Sequence, residues 1–169
     1  MDLQPALTGS RLTLRPLVPE DFPALFAVAS DPLIWEMHPH PDRYKEDVFR
    51  EFFDSGIASK GALAVVDNTT GKLIGSSRYY SLDEKNKTVA VGFTFLARSH
   101  WGGEFNHEMK MLMLGHAFQS VEVVRFEVGE TNIRSRRALE KIGAREVGST
   151  RLDQIPYAIY EIRKPEQAR

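Results

Sequence analysis

WGGEFNHEMKMLMLGHAF, residues 101–118, follows directly on TVAVGFTFLARSH, residues 88–100. The earlier segment alternates as a strand does, and the alternation puts Val89, Val91, Phe93 and Phe95 on one face. From Gly103 to Gln119 the composition favours a helix, with Phe105, Met109 and Leu112 on one stripe and Met111, Leu114 and Phe118 widening it. Gly102 and Gly103 therefore sit where a strand turns into a helix. A helix start leaves backbone N–H groups unpaired and carries about half a positive charge, so it holds a phosphate without any lysine. Glycine adds the close backbone approach and the positive φ that such a cradle uses. A tight turn with no ligand asks for the same residues, so on this stretch alone both readings stand.

The rest of the chain supplies the context. RLTLRPLV (11–18) alternates as a strand, and Pro19, Glu20 and Asp21 open a helix carrying Phe22, Leu25, Phe26 and Ala29. A second helix is predicted from about Asp42 to Ala58, and the prolines of DPLIWEMHPHP (31–41) make the intervening stretch a loop. GALAVVD, KLIGSSRYYS and TVAVGFTFLA, joined by DNTTGK and SLDEKNK, form an antiparallel meander. VVRFEV is a fifth strand, NIRSRRALEKIG a helix closed by Gly143, and AREVGSTRL with YAIYEIR a terminal hairpin. The order is βααβββαβαββ. It forms one domain over residues 1–169, with 1–9 and 165–169 expected to fray.

Composition narrows the function. At 169 residues the chain suits a single core. Lys plus Arg (22) nearly balances Asp plus Glu (23), so no net field draws the protein to nucleic acid or to an anionic membrane, and a small or locally recognised partner is expected. The absence of cysteine removes disulfides, thiolate nucleophiles and cysteine metal sites. MDLQPALTGS lacks the basic and apolar regions of a signal peptide, and no run reaches the ~18 apolar residues of a membrane span. A cytoplasmic protein is the expectation.

A second constellation is TNIRSRRALEKIGA, where Asn132 and Ser135 stand one helical turn apart just after a strand. A helix cap accounts for the pair without any function; in this position the pair also places an amide and a hydroxyl at a sheet edge. Together with the opening stretch, in this order of elements, it resembles the GNAT superfamily of N-acetyltransferases, and most of all its ribosomal-protein N-acetyltransferase branch. WGGEFNHEMKMLMLGHAF is similar to that branch's Trp-Gly-x-x-Tyr-x-x-Glu segment, NIRSRRALEKIGA to its Asn-x-x-Ser-x-x-x-Leu-Glu-Lys-x-Gly segment, and RLTLRPLVPEDFPAL to its first strand and helix.

The resemblance implies an α/β (α+β) fold: a mixed, mostly antiparallel, splayed sheet of about seven strands with about four helices. It implies acetyl-CoA as co-substrate, wedged beside the fourth strand. Backbone amides of Gly102, Gly103, Glu104, Phe105, Asn106 and His107 would cradle the pyrophosphate, and the pantetheine arm would run along Phe93 to Ala97. An N–H of Phe95 or Leu96 would polarise the thioester carbonyl. Asn132 would bond the pantetheine amides, and Ser135 would hydrogen-bond the departing thiolate and return a proton. The chain departs from the family pattern twice: Glu104 puts a carboxylate where a glycine or alanine is usual, and Leu139 stands where many relatives have a tyrosine acid.

The acceptor is then a primary amine of a small molecule or a protein N-terminus. An α-amino group, with a pKa of about 7.7 to 8.0, is substantially neutral at working pH, whereas a lysine-like amine near 10.4 wants a base or a desolvating pocket. Trp35, Glu36 and His38, in the loop that helps wall the acceptor pocket in relatives, are the substrate-binding candidates. Glu36, His38, His40, Asp83 and Glu84 are also the weak candidates for a base, and a solvated surface explains each of them equally well. The prolines among His38, His40 and Asp42 spoil any regular ligand spacing, so no metal is expected. His107 and Glu108 suit either the cofactor side or an ordinary first turn, where the helix dipole favours a glutamate. Arg134, Arg136 and Arg137 are either a solvated helix face or a reach toward nucleotide phosphates. Trp101 is most simply a packing residue that anchors the glycine loop. The competing function is a CoA-binding module that senses the cofactor without turnover. A nucleotide binder using the same loop would lack the Gly-Lys-Ser/Thr of a triphosphate loop. Monomer and homodimer are both compatible with the chain.

Overall fold

The computed structural model describes residues 1–166. Eight strands form one sheet in the order β1-β2-β3-β4-β5-β6-β8-β7, with β1 Leu7–Thr8, β2 Leu12–Pro16, β3 Ala62–Asp67, β4 Leu73–Asp83, β5 Thr88–Leu96, β6 Val123–Gly129, β7 Arg145–Leu152 and β8 Ile155–Arg163. The helices are α1 Phe22–Ala29, α2 Glu46–Ser59, α3 Glu104–Ala117 and α4 Ile133–Lys141. The predicted order holds, with one strand added at the start. Residues 1–9, expected to fray, include β1, which pairs Leu7 with Leu14 and Thr8 with Thr13. Of the other expected frayed end, residues 167–169 lie outside the described residues. No helix among the described residues is long and apolar enough to cross a membrane.

Strand alternation sorts the core into two layers. Leu63 and Val65 of β3 face a cluster that holds Met109, Met113 and Ala117 of α3 and Leu139 of α4. Ala62 and Ala64 face the other way, onto Phe22 and Leu25 of α1 and Phe49 and Phe53 of α2. That second layer is mostly aromatic: Phe22 meets Phe53 edge-on at 5.2 Å, and Trp35 meets Phe95 at 5.0 Å. Each such ring removes enough apolar surface from water to stabilise the fold by about 2–3 kcal/mol.

Two local departures from the sequence pattern shape the centre of the sheet. On β5, Phe93 and Thr94 together oppose the single residue Ser77 of β4, because register runs from Ser76↔Phe95 to Arg78↔Gly92. Phe93 sits in the bulge with φ 54°, a left-handed conformation rare for a bulky residue. The bulge breaks the expected single face. Val89 and Val91 stay with the α3 layer, while Phe95 turns over into the α2 layer and Phe93 is 36% exposed. On α3 the buried stripe contains Met109, Lys110, Met113, Leu114 and Ala117, whereas Met111 faces outward. The stripe is rotated from the expected one, and it buries a lysine.

Candidate active site at a split in the sheet

Among the described residues β5 and β6 are the only parallel neighbours in the sheet, and they pair only at Thr88↔Val123, Val89↔Val124 and Ala90↔Arg125. Beyond Ala90 each strand keeps its outer partner, β4 for β5 and β8 for β6, while the edges facing each other separate. Unpaired strand edges offer N–H and C=O groups to an extended ligand. Ala97 donates its N–H to Ile74 of β4 at 2.7 Å, so by strand alternation the amide of Leu96 points to the open side. The Leu96 carbonyl already accepts from Trp101 Nε1 at 2.9 Å, which leaves its N–H as the available donor. Phe95 pairs with Ser76 and is buried in the aromatic layer, so of the two expected oxyanion donors the geometry favours Leu96.

The glycine junction takes the form a cradle needs. Gly102 has φ +70°, and Gly103 caps α3 without any side-chain hydrogen bond to the helix amides. The N–H groups of Glu104, Phe105 and Asn106 therefore begin the helix unpaired, and that of His107 is the first to enter the helical ladder. The Glu104 carboxylate forms an ion pair with Arg11, whose charge offsets part of the repulsion that the carboxylate would exert on a phosphate. Glu108 serves the fold. It accepts from Ser10 N at 3.1 Å, Ser10 Oγ at 2.6 Å, and the amides of Arg11 and Leu12 at 2.9 Å each, tying α3 to the β1–β2 turn. Trp101 anchors the loop as expected, with Arg134 3.8 Å above its ring.

Asn132 caps α4, accepting from Ser135 N at 3.4 Å, and is 5% exposed. Its amide nitrogen and the Ser135 hydroxyl make no hydrogen bond among the described residues, so both are free for a ligand. Leu139 is packed in the core and gives up no proton. The arginine cluster of α4 is dispersed: Arg136 is held by Tyr160, the Glu130 carbonyl and Glu146, and Arg134 by Trp101.

Beneath the split, on the α1/α2 face, lies a set of side chains that the sequence reading did not assemble. Phe126 and Val128 of β6 enter the α3 layer, so Glu127 between them points to the opposite face, and Tyr157 of β8 does so for the same reason. Burial, then the charge of Glu127, pushes up the phenol of Tyr80; burial and Glu127 also raise that of Tyr157 against the opposing charge of Arg43. Glu127 forms no ion pair among the described residues. The only sequence signal for it is its outward place in VVRFEV.

Trp35 is 2% exposed, and its indole N–H is committed to the Ala29 carbonyl at 2.9 Å, so it faces the site with ring alone. Glu36 is exposed and close enough to act on Arg134. His38 is half-buried, and that desolvation, followed by the charges of Arg43 and His40, pulls its pKa down to about 3. Its ring is therefore neutral. Nδ1 accepts from His40 N at 3.0 Å, which puts the proton on Nε2, 3.4 Å from Arg43 Nη1. Two donors face each other there. Asp83 closes a turn by accepting from Asn86, and Glu84 meets the N-terminus at 3.8 Å.

Arg78 is only 5% exposed and its Nε has no partner among the described residues. Burial lowers the pKa of Arg78 and of Arg43 to about 10 each. Leaving a buried donor unsatisfied costs about 1–3 kcal/mol. Stacking of the Arg78 guanidinium 3.9 Å over Phe93 offsets about 0.5–2 kcal/mol of that.

The family model described as the acetyltransferase (GNAT) domain matches residues 11–145. Among solved structures, the fold is similar to a GCN5-related N-acetyltransferase from Brucella melitensis, at 21% identity over 95% of this chain and 79% of that one, with a TM-score of 0.80. It is similar to a GNAT-family acetyltransferase from Bacillus anthracis, at 18% identity over 94% and 98%, TM-score 0.78. A third is Mycobacterium smegmatis RimJ in complex with CoA-disulfide, at 19% identity over 90% and 81%, TM-score 0.69. At these identities the likeness is one of fold. No curated protein matches the chain in sequence.

Proposed function

Because the chain belongs to the GNAT acetyltransferase family, we propose that it binds acetyl-CoA in the split between β5 and β6 and transfers the acetyl group directly to a primary amine. The observation that carries this reading is the separation of β5 from β6 after Ala90, which leaves the Leu96 N–H without a strand partner beside the uncapped start of α3. The unpaired amides of Gly103 to Asn106 hold the diphosphate, and Asn132 bonds the amides of the pantetheine arm. The amine, held on the α1/α2 face, gives up a proton toward Glu127, directly or through one water, and its lone pair attacks the thioester carbon. Leu96 N–H receives the developing oxyanion. The carbon–sulfur bond then breaks, and the Ser135 hydroxyl donates to the departing thiolate. Orientation in one cleft supplies several kcal/mol of the barrier reduction, and proton transfer to Glu127 adds its own share.

The buried Leu139 favours a second reading, a module that binds CoA without turnover, because no tyrosine acid is present at that helical position. Thiol release from acetyl-CoA in the presence of a panel of amines separates the two. Transfer requires amine-dependent thiol release with the acetylated amine recovered; CoA binding with no release for any amine supports the module instead.

A further inference from the structure

We propose that the acceptor is a small amine that also carries an oxyanion, a carboxylate or a phosphate, held by Arg43 and Arg78. This rests on the acetyl-transfer reading for its amine end.

Most arginines with close partners here pair with carboxylates: Arg15 with Asp21, Arg98 with Asp31, Arg125 with Glu161 and Arg136 with Glu146. Arg43 and Arg78 have no carboxylate within ion-pair distance among the described residues, although both lie below the split and are largely withdrawn from water. Their guanidinium carbons stand 4.5 and 5.7 Å from the centroid of the same ring, Phe52. Arg78 reaches only Ser55 Oγ at 3.3 Å and the Phe52 carbonyl at 3.5 Å, and its Nε reaches nothing. Arg43 faces the Nε2–H of His38. One oxygen of an anion accepting from both Arg43 Nη1 and His38 Nε2 would turn that donor–donor contact into two hydrogen bonds. Glu127 on the same face supplies the opposite charge for an ammonium. The face is thus complementary to a molecule with a positive and a negative end.

The size of the acceptor follows from the segment above it. Pro39 lies so close to Gly129 that a Cβ there would stand 2.4 Å from Pro39 Cγ, and His40 Nε2 meets the Tyr157 hydroxyl at 3.4 Å. Residues 38–40 are therefore laid across β6 and β8 at Gly129 and Tyr157, which favours a compact acceptor over a through-running polypeptide.

The test compares matched acceptors by thiol release: L-amino acids against their own C-terminal amides, and phosphoethanolamine against ethanolamine. The expected result is a kcat/KM at least tenfold higher for the anionic member of a pair, with the ratio falling toward one in Arg43→Gln while acetyl-CoA affinity is unchanged. The first pair reports a carboxylate, the second a phosphate. Equal use of both members, an unaltered ratio in Arg43→Gln, or preference for a peptide amino terminus would overturn the proposal. If no amine releases thiol, the acetyl-transfer reading fails, and inorganic phosphate titrated in saturating CoA still decides the anion site through tryptophan fluorescence. Saturable binding that is lost in Arg43→Gln supports it; absence of saturation in the unsubstituted protein overturns it. Arg78→Lys, checked for folding by circular dichroism, repeats both measurements at the buried position.

Discussion

The two faces of the split are built from different material. On the α3/α4 side the groups available to a ligand are main-chain amides and one cap residue: Gly103 to Asn106, Leu96 and Asn132. On the α1/α2 side they are side chains drawn from five places in the chain: His38 and Arg43, Arg78, Phe93, Glu127 and Tyr157. Amides presented by a helix start or a strand edge are fixed by secondary structure and bind what any such chain would bind. A specific acceptor calls for charges, and those arrive only when distant strands come together.

Substitutions on the two faces should therefore have separable effects. The largest belongs to Glu127→Gln, which removes the proposed proton acceptor and is expected to lower kcat by about 10²-fold or more with acetyl-CoA affinity intact. Loss of acetyl-CoA affinity instead, measured by calorimetry, would place Glu127 on the wrong side. Gly102→Val comes next. A β-branched residue forced to φ +70° costs about 1–2 kcal/mol, and the displaced amides weaken acetyl-CoA binding by roughly tenfold. An unchanged affinity in a folded variant contradicts the cradle. Asn132 is a finer probe, because Asn132→Ala loses both the cap, about 1 kcal/mol of stability, and the ligand contact, whereas Asn132→Ser keeps the cap. Asn132→Ser is expected to melt like the parent and bind acetyl-CoA a few-fold more weakly; normal binding would reduce Asn132 to a cap.

The smallest effect concerns Lys110, whose Nζ touches only Thr94 Oγ1, at 3.4 Å, and lies 5.4 Å from the centre of the Phe126 ring. Burial lowers its pKa to about 8. Between pH 8 and the ordinary lysine value of 10.5 the unfolded chain holds a proton that the native chain does not, so this group makes stability rise with pH across that window. Lys110→Met should raise the melting temperature at pH 7, and the gain should shrink as pH approaches 10. A gain that does not vary with pH would mean that the lysine keeps its proton in the fold across this window and that burial does not lower its pKa.

How much of this was legible in the sequence follows the same division. The glycine junction, the Asn132–Ser135 turn and the meander all announce themselves within a dozen residues, because caps, turns and alternation are local. Glu104 stood out as a problem, yet its solution, Arg11, is supplied by a strand at the other end of the chain. The bulge was hidden because Gly92, the residue suited to positive φ, is not the one that adopts it; Phe93 is. Lys110 was missed because periodicity counts apolar residues, and a single lysine does not stop a stripe from being buried. Glu127 has no local signal beyond its outward place in VVRFEV, and Arg43 and Arg78 have none, since only the pairing of β4, β5 and β6 and the packing of the 41–44 turn against them set the three on one face.

The central claim is that main-chain groups at the β5–α3 junction and along the open edge of β5 seat the acyl donor. A crystal structure of the protein grown with acetyl-CoA tests it most directly. The diphosphate is expected on the amides of Gly103 to Asn106, with the thioester oxygen within hydrogen-bond distance of Leu96 N. A coenzyme found on another surface, or lying outside the split with the Leu96 amide unengaged, would contradict it.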